Sequence, residues 1–208
     1  MEKPLITFVE KKSDSFVLSN VNKEIIRKGI HSLIAIVPFL AVVNKSFTIV
    51  LMVSGIIVYL FSEYFRITSR NNSLIAKITI LVSREPDISN PVLGPFTLGT
   101  GALLSVILFP LPIASIAIYV LAFGDGIASI AGNKFSSIEI PHTNGKTFAG
   151  SFACFITVYL IAFRMTFSMP KAFLIAVVGT FLEALPINEF DNIVLPIGVG
   201  FLVYFIGL

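Results

Sequence analysis

Seven apolar blocks joined by short polar links make up most of this chain, and they leave few folds open to it. The blocks are Ile30–Val43, Phe47–Phe65, Thr97–Phe109, Pro112–Ala131, Thr147–Phe163, Ala172–Leu185 and Ile193–Leu208. In a bilayer a single apolar run satisfies its backbone polar groups only by becoming helical. Charged residues make up 13% of the chain, and mean hydropathy is +0.91. A soluble domain carries roughly 25% charged residues. The expectation is an all-α fold, a polytopic transmembrane helix bundle of about seven spans. Several blocks fall short of the roughly 20 residues of a straight span, so they tilt in a thinned bilayer or sit inside the bundle. Six spans and one re-entrant piece is the competing count. Residues 1–24 read as a polar, basic segment and residues 25–208 as one transmembrane domain, with the first helix beginning near Ile25. The run Pro4–Val9 is too brief for the core of a cleavable signal. The single cysteine, Cys154, permits no internal disulfide.

Charge sets the orientation. With the N-terminus in the cytoplasm, 12 of the 15 Lys and Arg residues fall on the inner side, leaving Lys45, Arg164 and Lys171 outside. This is a positive-inside distribution. On the same topology all 12 acidic residues and both histidines also fall at or near the inner face. The chemistry of the chain is therefore expected at the cytoplasmic face, within reach of a nucleotide. Between the second and third blocks, Leu74, Ile75, Ile78, Leu81 and Val82 repeat at helical spacing after the capping triplet Asn71-Asn72-Ser73. That pattern predicts an amphipathic interfacial helix near 73–84, ended by Pro86, serving as an anchor or a lid.

Asp125 stands between Gly124 and Gly126 near the end of the fourth apolar block, with Ala128 and Gly132 continuing a face of small residues. Small residues serve close helix packing, but they do not explain a carboxylate. A charge at the centre of a membrane helix costs about 2.5–3.5 kcal/mol even on lenient scales. Asp125 is therefore a candidate metal ligand, in the manner of Mg²⁺, which takes one or two carboxylates plus phosphate oxygens and waters. The next link carries Gly145-Lys146-Thr147 and then Gly150-Ser151. It resembles the end of a P-loop, but Ile140 stands where that motif needs glycine and no flanking strand is expected. Its expected use is phosphate binding at a helix N-terminus, with Lys146 as a point charge. A lysine snorkelling at a helix start is the competing account.

Glu183 lies near the inner end of the sixth block, and Asp191-Asn192 opens the seventh. Asp191 reads equally as a helix cap, which Glu183 does not. Asp125, Glu183 and Asp191 are the expected metal set. Arg27 and His31 lie one helical turn apart, with Lys28 beside them. His142, Glu63, Arg66, Arg84, Glu85, Gly94, Pro95 and Gly99 carry weaker signals, all at the same face.

Taken together, these motifs resemble the CTP-dependent lipid-alcohol kinases: dolichol kinase, phytol kinase and the fungal-type diacylglycerol kinase. The resemblance runs from about residue 24 to 205. It rests on Arg27-Lys28-x-x-His31, Arg84-Glu85, Gly94 to Gly99, Gly124-Asp125-Gly126-x-Ala128-x-x-x-Gly132, Lys146-Thr147-x-x-Gly150-Ser151, and Glu183-Ala184-Leu185 followed by Asp191-Asn192 and Pro196. It implies phosphoryl transfer from CTP to a lipid hydroxyl with Mg²⁺ or another divalent cation. It assigns Asp125, Lys146, Asp191 and His31 to catalysis. Arg27, Lys28, Gly124, Gly126, Gly132, Gly145, Thr147, Gly150, Ser151 and Asn192 are assigned to binding. Where the family has an arginine and a further glycine after Gly132, this chain has Asn133 and Ser136, and Lys134 is the expected substitute cation. The implied partners are a nucleotide and a membrane lipid alcohol, with no nucleic acid. Asp191 and His31 remain alternative acceptors for the hydroxyl proton.

The central block also resembles phosphatidate cytidylyltransferases, which release pyrophosphate rather than CDP. Those chains tend to be longer and carry a further acidic cluster that is missing here. The CDP-alcohol phosphotransferases share an Asp-Gly motif but need Ala-Arg where this chain has Ser129-Ile130. A transporter of an anionic solute would want charge reachable from both faces, and no charge is placed deep toward the outer one.

Overall fold

The structure is a computed structural model that describes residues 24–69, 79, 90–135 and 138–207. Apart from Thr79, the expected interfacial helix near 73–84 lies outside the described residues, as do Arg84, Glu85 and the polar segment up to residue 23. The described residues are helical, with one isolated antiparallel bridge between Glu139 and Thr147.

Among the described residues seven long helices follow one another: α1 (Glu24–Val43), α2 (Lys45–Ser69), α3 (Gly94–Leu108), α4 (Leu111–Phe135), α5 (Phe148–Thr166), α6 (Met169–Ala184) and α7 (Asp191–Phe205). Prolines punctuate them. Pro95, Pro112 and Pro170 sit in first turns, where the missing N–H costs nothing. Pro38 lies inside α1, where the missing N–H removes one bond to the preceding turn. There the helix tightens to a 3₁₀ turn over Leu33–Ile36, and Val37 donates to the Ile34 carbonyl. Pro196 is accommodated within α7.

α1, α2, α4 and α5 are long and apolar enough to cross a membrane, and α3 is a shorter apolar helix. α3, α6 and α7, with 15 or 16 residues each, reach roughly 23 Å against a hydrocarbon core of about 30 Å. Burial separates the four long helices. In the most apolar stretch of α4, 72% of residues are buried inside the bundle, against 17–28% for the other three. α4 is thus the central helix. Ile116, Val120 and Leu121 on it pack with Cys154, Val158 and Ala162 of α5, Ile175 and Ala176 of α6, and Leu195, Val199 and Val203 of α7. A second cluster joins Val37 and Ala41 of α1 to Ala102 and Val106 of α3 and Ile118 of α4.

Glycines set the closest approaches. A Cβ on Gly101 would lie 2.0 Å from the Asn192 carbonyl oxygen, so α3 and α7 touch backbone to backbone. A Cβ on Gly150 would lie 2.7 Å from the Ala128 carbonyl oxygen, which brings α5 equally close to α4. By contrast, a Cβ on Gly55 would meet nothing within 4 Å. Gly101→Ala is therefore expected to destabilise by about 1–3 kcal/mol through overpacking. Gly55→Ala, at an open helical site, is expected to be neutral or stabilising by up to about 1 kcal/mol. Thermal unfolding of the two variants in detergent, side by side, checks the contrast.

Candidate functional site

Alternation of helix direction brings the starts of α1, α3, α5 and α7 and the ends of α4 and α6 to one end of the bundle. They surround a cavity of about 570 Å³ lined by Arg27, Lys28, His31, Asp125, Lys146, Glu183, Asp191 and Asn192, among others. The cavity reaches inward: Asp125 lies ten residues before the end of α4, roughly 15 Å along a helix axis.

At Asp125 the central helix departs from α geometry. Val120–Asp125 forms a π-helical turn, a feature that recurs at functional sites. The wider turn shifts the backbone register by one residue, and there His31 Nε2 lies 3.1 Å from the Leu121 carbonyl oxygen. A carbonyl only accepts, so Nε2 carries the proton in this contact and Nδ1 is left as the basic nitrogen. The same Nε2 is 3.5 Å from Asp125 Oδ2. Lys28 Nζ donates to Asp125 Oδ2 at 2.5 Å. Asp125 is 4% exposed and Lys28 7%, so this is a buried ion pair between α1 and α4. Beside it, Arg27 is bidentate to Glu24 at 2.6 and 2.9 Å, and Ser129 donates to the same Glu24 carboxylate. Ser129, which lines the cavity, and Glu24, which holds Arg27 beside it, are residues that the motifs did not point to, since neither stands out in sequence.

The second centre is Lys146. Its Nζ lies 2.5 Å from Glu183 Oε1, 3.7 Å from Asp191 Oδ2 and 4.0 Å from Asp125 Oδ1. The three expected carboxylates therefore converge, and they converge on an ammonium. Burial works against that ammonium. The charges of Glu183, Asp125 and Asp191 outweigh it and hold the pKa above the usual lysine value. Asp191, held by burial and then by the nearby charge of Asp125, is pushed up to about 6. Glu183 is 2% exposed, and among the described residues its Oε2 has no hydrogen-bond partner, nor has the buried Ser151 Oγ. Among the described residues, no three His, Cys, Asp or Glu side chains form a ready-made metal cluster.

The link before α5 folds as a small hairpin. Ile140 donates to Lys146 O and Phe148 to Ile138 O, while His142, Asn144 and Gly145 take positive φ at its tip. Asn144 Nδ2 crosses to the Pro186 carbonyl and to Asn188 Oδ1, tying the tip to the α6–α7 link. Gly145, Lys146, Thr147, Gly150 and Ser151 all line the cavity, and several backbone donors here are already used within the chain. Thr147 caps α5 by accepting from the Gly150 N–H at 3.1 Å, and the Ser151 N–H donates to Thr147 O. With Phe148, Gly150 and Ser151 already satisfied, this helix start offers side chains to a ligand rather than those three backbone N–H groups. Gly132, Gly150 and Gly124 are packing glycines: a Cβ on each would lie 2.8 Å from Thr147 Oγ1, 2.7 Å from Ala128 O and 3.0 Å from Val158 Cγ2 respectively. Gly126 and Gly145 face open space. Lys134 is exposed and does not line the cavity. Ala128, Ser129 and Gly132 share the lining face of α4, and two residues further on the helix has turned away. Its ammonium lies 5.9 Å from the Phe135 ring centroid. Asn192 reaches Thr97 Oγ1 at 3.0 Å and fixes α7 to α3. His142 does not line the cavity.

α2 acts at a distance. Glu63 and Arg66 pair at 2.7 and 2.8 Å. Glu63 Oε1 also accepts from Val92 N, Arg66 donates to Asn90 O, and Tyr59 donates to Val92 O at 2.6 Å. This clamp fixes the strap that carries Val92 and Gly94 to the cavity wall.

Comparison with known proteins gives one kind of relative. The chain is similar to phytol kinases. It is 30% identical over 147 residues to phytol kinase 1, chloroplastic, of Arabidopsis thaliana, covering 62% of this chain and 47% of that protein. It is 29% identical over 142 residues to a probable phytol kinase 1, chloroplastic, of Glycine max, covering 60% and 47%. It is 28% identical over 141 residues to a probable phytol kinase 1, chloroplastic, of Oryza sativa subsp. japonica, covering 59% and 45%. The chain spans about half the length of these curated relatives. No family model and no solved structure matches it. Of the families that the motifs resemble, the phytol kinases are the one these relatives carry in their names.

Two outcomes follow from the electrostatics. Removing one partner of the Lys28–Asp125 pair leaves a buried charge, so Lys28→Met is expected to cost about 3–5 kcal/mol. Lys28→Met with Asp125→Asn is expected to recover part of that, which a double-mutant cycle of unfolding midpoints reads. The Asp191 carboxyl is expected to titrate near 6 in the ligand-free protein. Asp125→Asn removes a neighbouring negative charge and lowers that midpoint, as followed by infrared difference spectroscopy of the carboxyl band.

Proposed function

We propose that this protein is a membrane-embedded kinase that transfers the γ-phosphoryl group of CTP to the hydroxyl of a lipid alcohol. The carrying observation is the convergence of Lys28, Lys146, Asp125, Glu183 and Asp191 in one cavity at the end of an apolar bundle. The similarity to phytol kinases supports the same class. CTP as donor rests on the motif resemblance. All seven helices are taken to embed, with the N-terminus and the cavity on the cytoplasmic side, as the positive-inside distribution supports.

Phosphoryl transfer asks the protein mostly for positioning and charge stabilisation. The Lys146 ammonium, with Lys28 and Arg27 on the facing wall, meets the phosphate chain. Asp125 and Glu183 are the residues that would hold a divalent cation. Their fit rests on the unpartnered Glu183 Oε2 and on the small number of carboxylates that Mg²⁺ needs when phosphate oxygens complete its shell. That cation, bound with the nucleotide, would supply neutralisation of the β- and γ-phosphate charge. The lipid oxygen forms a bond to the γ-phosphorus as the bond to the bridging oxygen breaks and CDP leaves. Asp191, on the open side of the cavity, takes the hydroxyl proton. His31, turned to Leu121 and Asp125, orients Asp125.

Purified protein with Mg²⁺, γ-³²P-CTP and a panel of phytol, polyprenols and diacylglycerol tests the reading, with ATP in a parallel arm. Label in an extractable lipid, lost in Asp125→Ala, is the expected result. Pyrophosphate released with phosphatidate as acceptor, and no labelled lipid, would replace it with cytidylyl transfer.

A further inference from the structure

Among the described residues, polar contacts join the start of α1 to α4 at intervals of one helical turn. The Ser129 hydroxyl donates to Glu24, Lys28 donates to Asp125, and His31 Nε2 meets the Leu121 carbonyl oxygen. Residues three or four apart on a helix share a face. Positions 24, 28 and 31 on one helix and 129, 125 and 121 on the other therefore form a ladder between antiparallel neighbours. The Lys28 and His31 rungs both reach Asp125. The Glu24 rung lies one turn further out and touches none of the reacting acids.

That outer rung holds Arg27. The Glu24 carboxylate accepts from Arg27 Nε at 2.9 Å and from Nη2 at 2.6 Å. It grips one edge of the guanidinium while Ser129 ties it to α4. A guanidinium carries its N–H donors in a rigid planar fork. Among the described residues, those not used on Glu24, on Nη1 and Nη2, make no hydrogen bond. Arg27 lines the cavity, whereas Glu24 does not. The Glu24 side chain is 15% exposed and that of Arg27 28%, so the acid sits behind and the cation in front. The free edge of the fork is one that pairs bidentately with two oxygens of a phosphate. Without the brace, a ligand would have to order this long side chain itself and would bind more weakly for it.

Resting on the phosphoryl-transfer reading, we propose that Glu24 and Ser129 are positioning residues that lock Arg27 against α4, its free guanidinium edge already aimed into the cavity as an anchor for a phosphate of the nucleotide. Charge alone gives Glu24 the opposite role. An acid beside an anion site repels the anion, and its removal tightens binding. Positioning and charge thus give opposite signs for the same substitution.

The test is calorimetric titration of the full chain in detergent with CTP and Mg²⁺, with steady-state kinetics on phytol alongside. Glu24→Gln, which keeps the volume and removes the charge, and Glu24→Ala are each expected to raise Kd and KM for CTP by about tenfold, the order of one charge-assisted hydrogen bond to the ligand. The change falls on those constants rather than on kcat or on KM for phytol. Ser129→Ala removes the tie to α4 and is expected to move the same constants the same way by about threefold. In an Arg27→Met background Glu24→Ala is expected to add nothing, a result that a general loss of structure does not produce. Unchanged or tighter CTP binding in Glu24→Gln, or losses that add in the double variant, overturn the positioning role while the kinase reading stands. Wild type that binds CTP and phosphorylates no lipid alcohol overturns the kinase reading alone, since the titrations still decide the role of Glu24. Wild type that binds no CTP overturns both.

Discussion

A carboxylate held deep in the central helix of an apolar bundle is the constraint around which the rest is arranged. Asp125 is 4% exposed, and an unpaired charge there would neutralise or unfold its surroundings. The fold meets that demand with Lys28 from α1, and with His31 and Lys146 nearby. Lys146 in turn needs acids, which Glu183 and Asp191 supply. The result is a chain of alternating charge connecting α1, α4, the hairpin, α6 and α7. A buried ion pair of this kind is weak evidence for stability. An apolar pair of the same volume would hold two helices together at least as well, so the network is better explained by use than by folding.

The π-turn at Val120–Asp125 belongs to the same logic. Within that turn the Leu121 carbonyl oxygen receives His31 Nε2 at 3.1 Å, so the histidine is anchored to the same stretch of helix that carries Asp125. The position is further fixed by Gly150 and Gly132, which allow α5 to lie so close to α4 that Lys146, just before it, can reach Asp125 and Glu183.

The all-helical bundle and the identity of most of the cavity residues were legible because both depend on local signals. Apolar run length marks a helix, and a carboxylate or lysine placed against apolar cost marks a site. Asp125, Lys146 and Glu183 were marked that way and line the cavity; Lys28, His31 and Asp191, which line it too, were marked by helical spacing and by the motifs they resemble. Readings that needed tertiary partners were not accessible. Thr147 lines the cavity, but that its side chain also caps α5 by accepting from the Gly150 N–H needed the fold. Gly132 and Gly150 line the cavity, and their use as packing glycines, where a Cβ has nowhere to go, shows only once their neighbours are in place. Lys134 follows from counting residues after Gly132, but two positions along a helix is more than half a turn, which takes it off the lining face. Glu24 and Ser129 carried no signal at all, because an acid beside an arginine and a serine in a small-residue stripe are ordinary on a helix end.

Lys146 is the residue whose position most repays a physical argument. Three carboxylates at 2.5–4.0 Å from one ammonium form a cation site already filled by the protein. A phosphate chain brings four or so negative charges into the same space, and the ammonium has three donors on a flexible stem. With phosphate oxygens in reach, the lysine gains a stronger counter-charge than any single carboxylate, and the acids it leaves are then short of a cation. On the proposed kinase reading, the electrostatic balance that keeps the ligand-free cavity intact would couple nucleotide binding to divalent-cation binding, each making room and charge for the other.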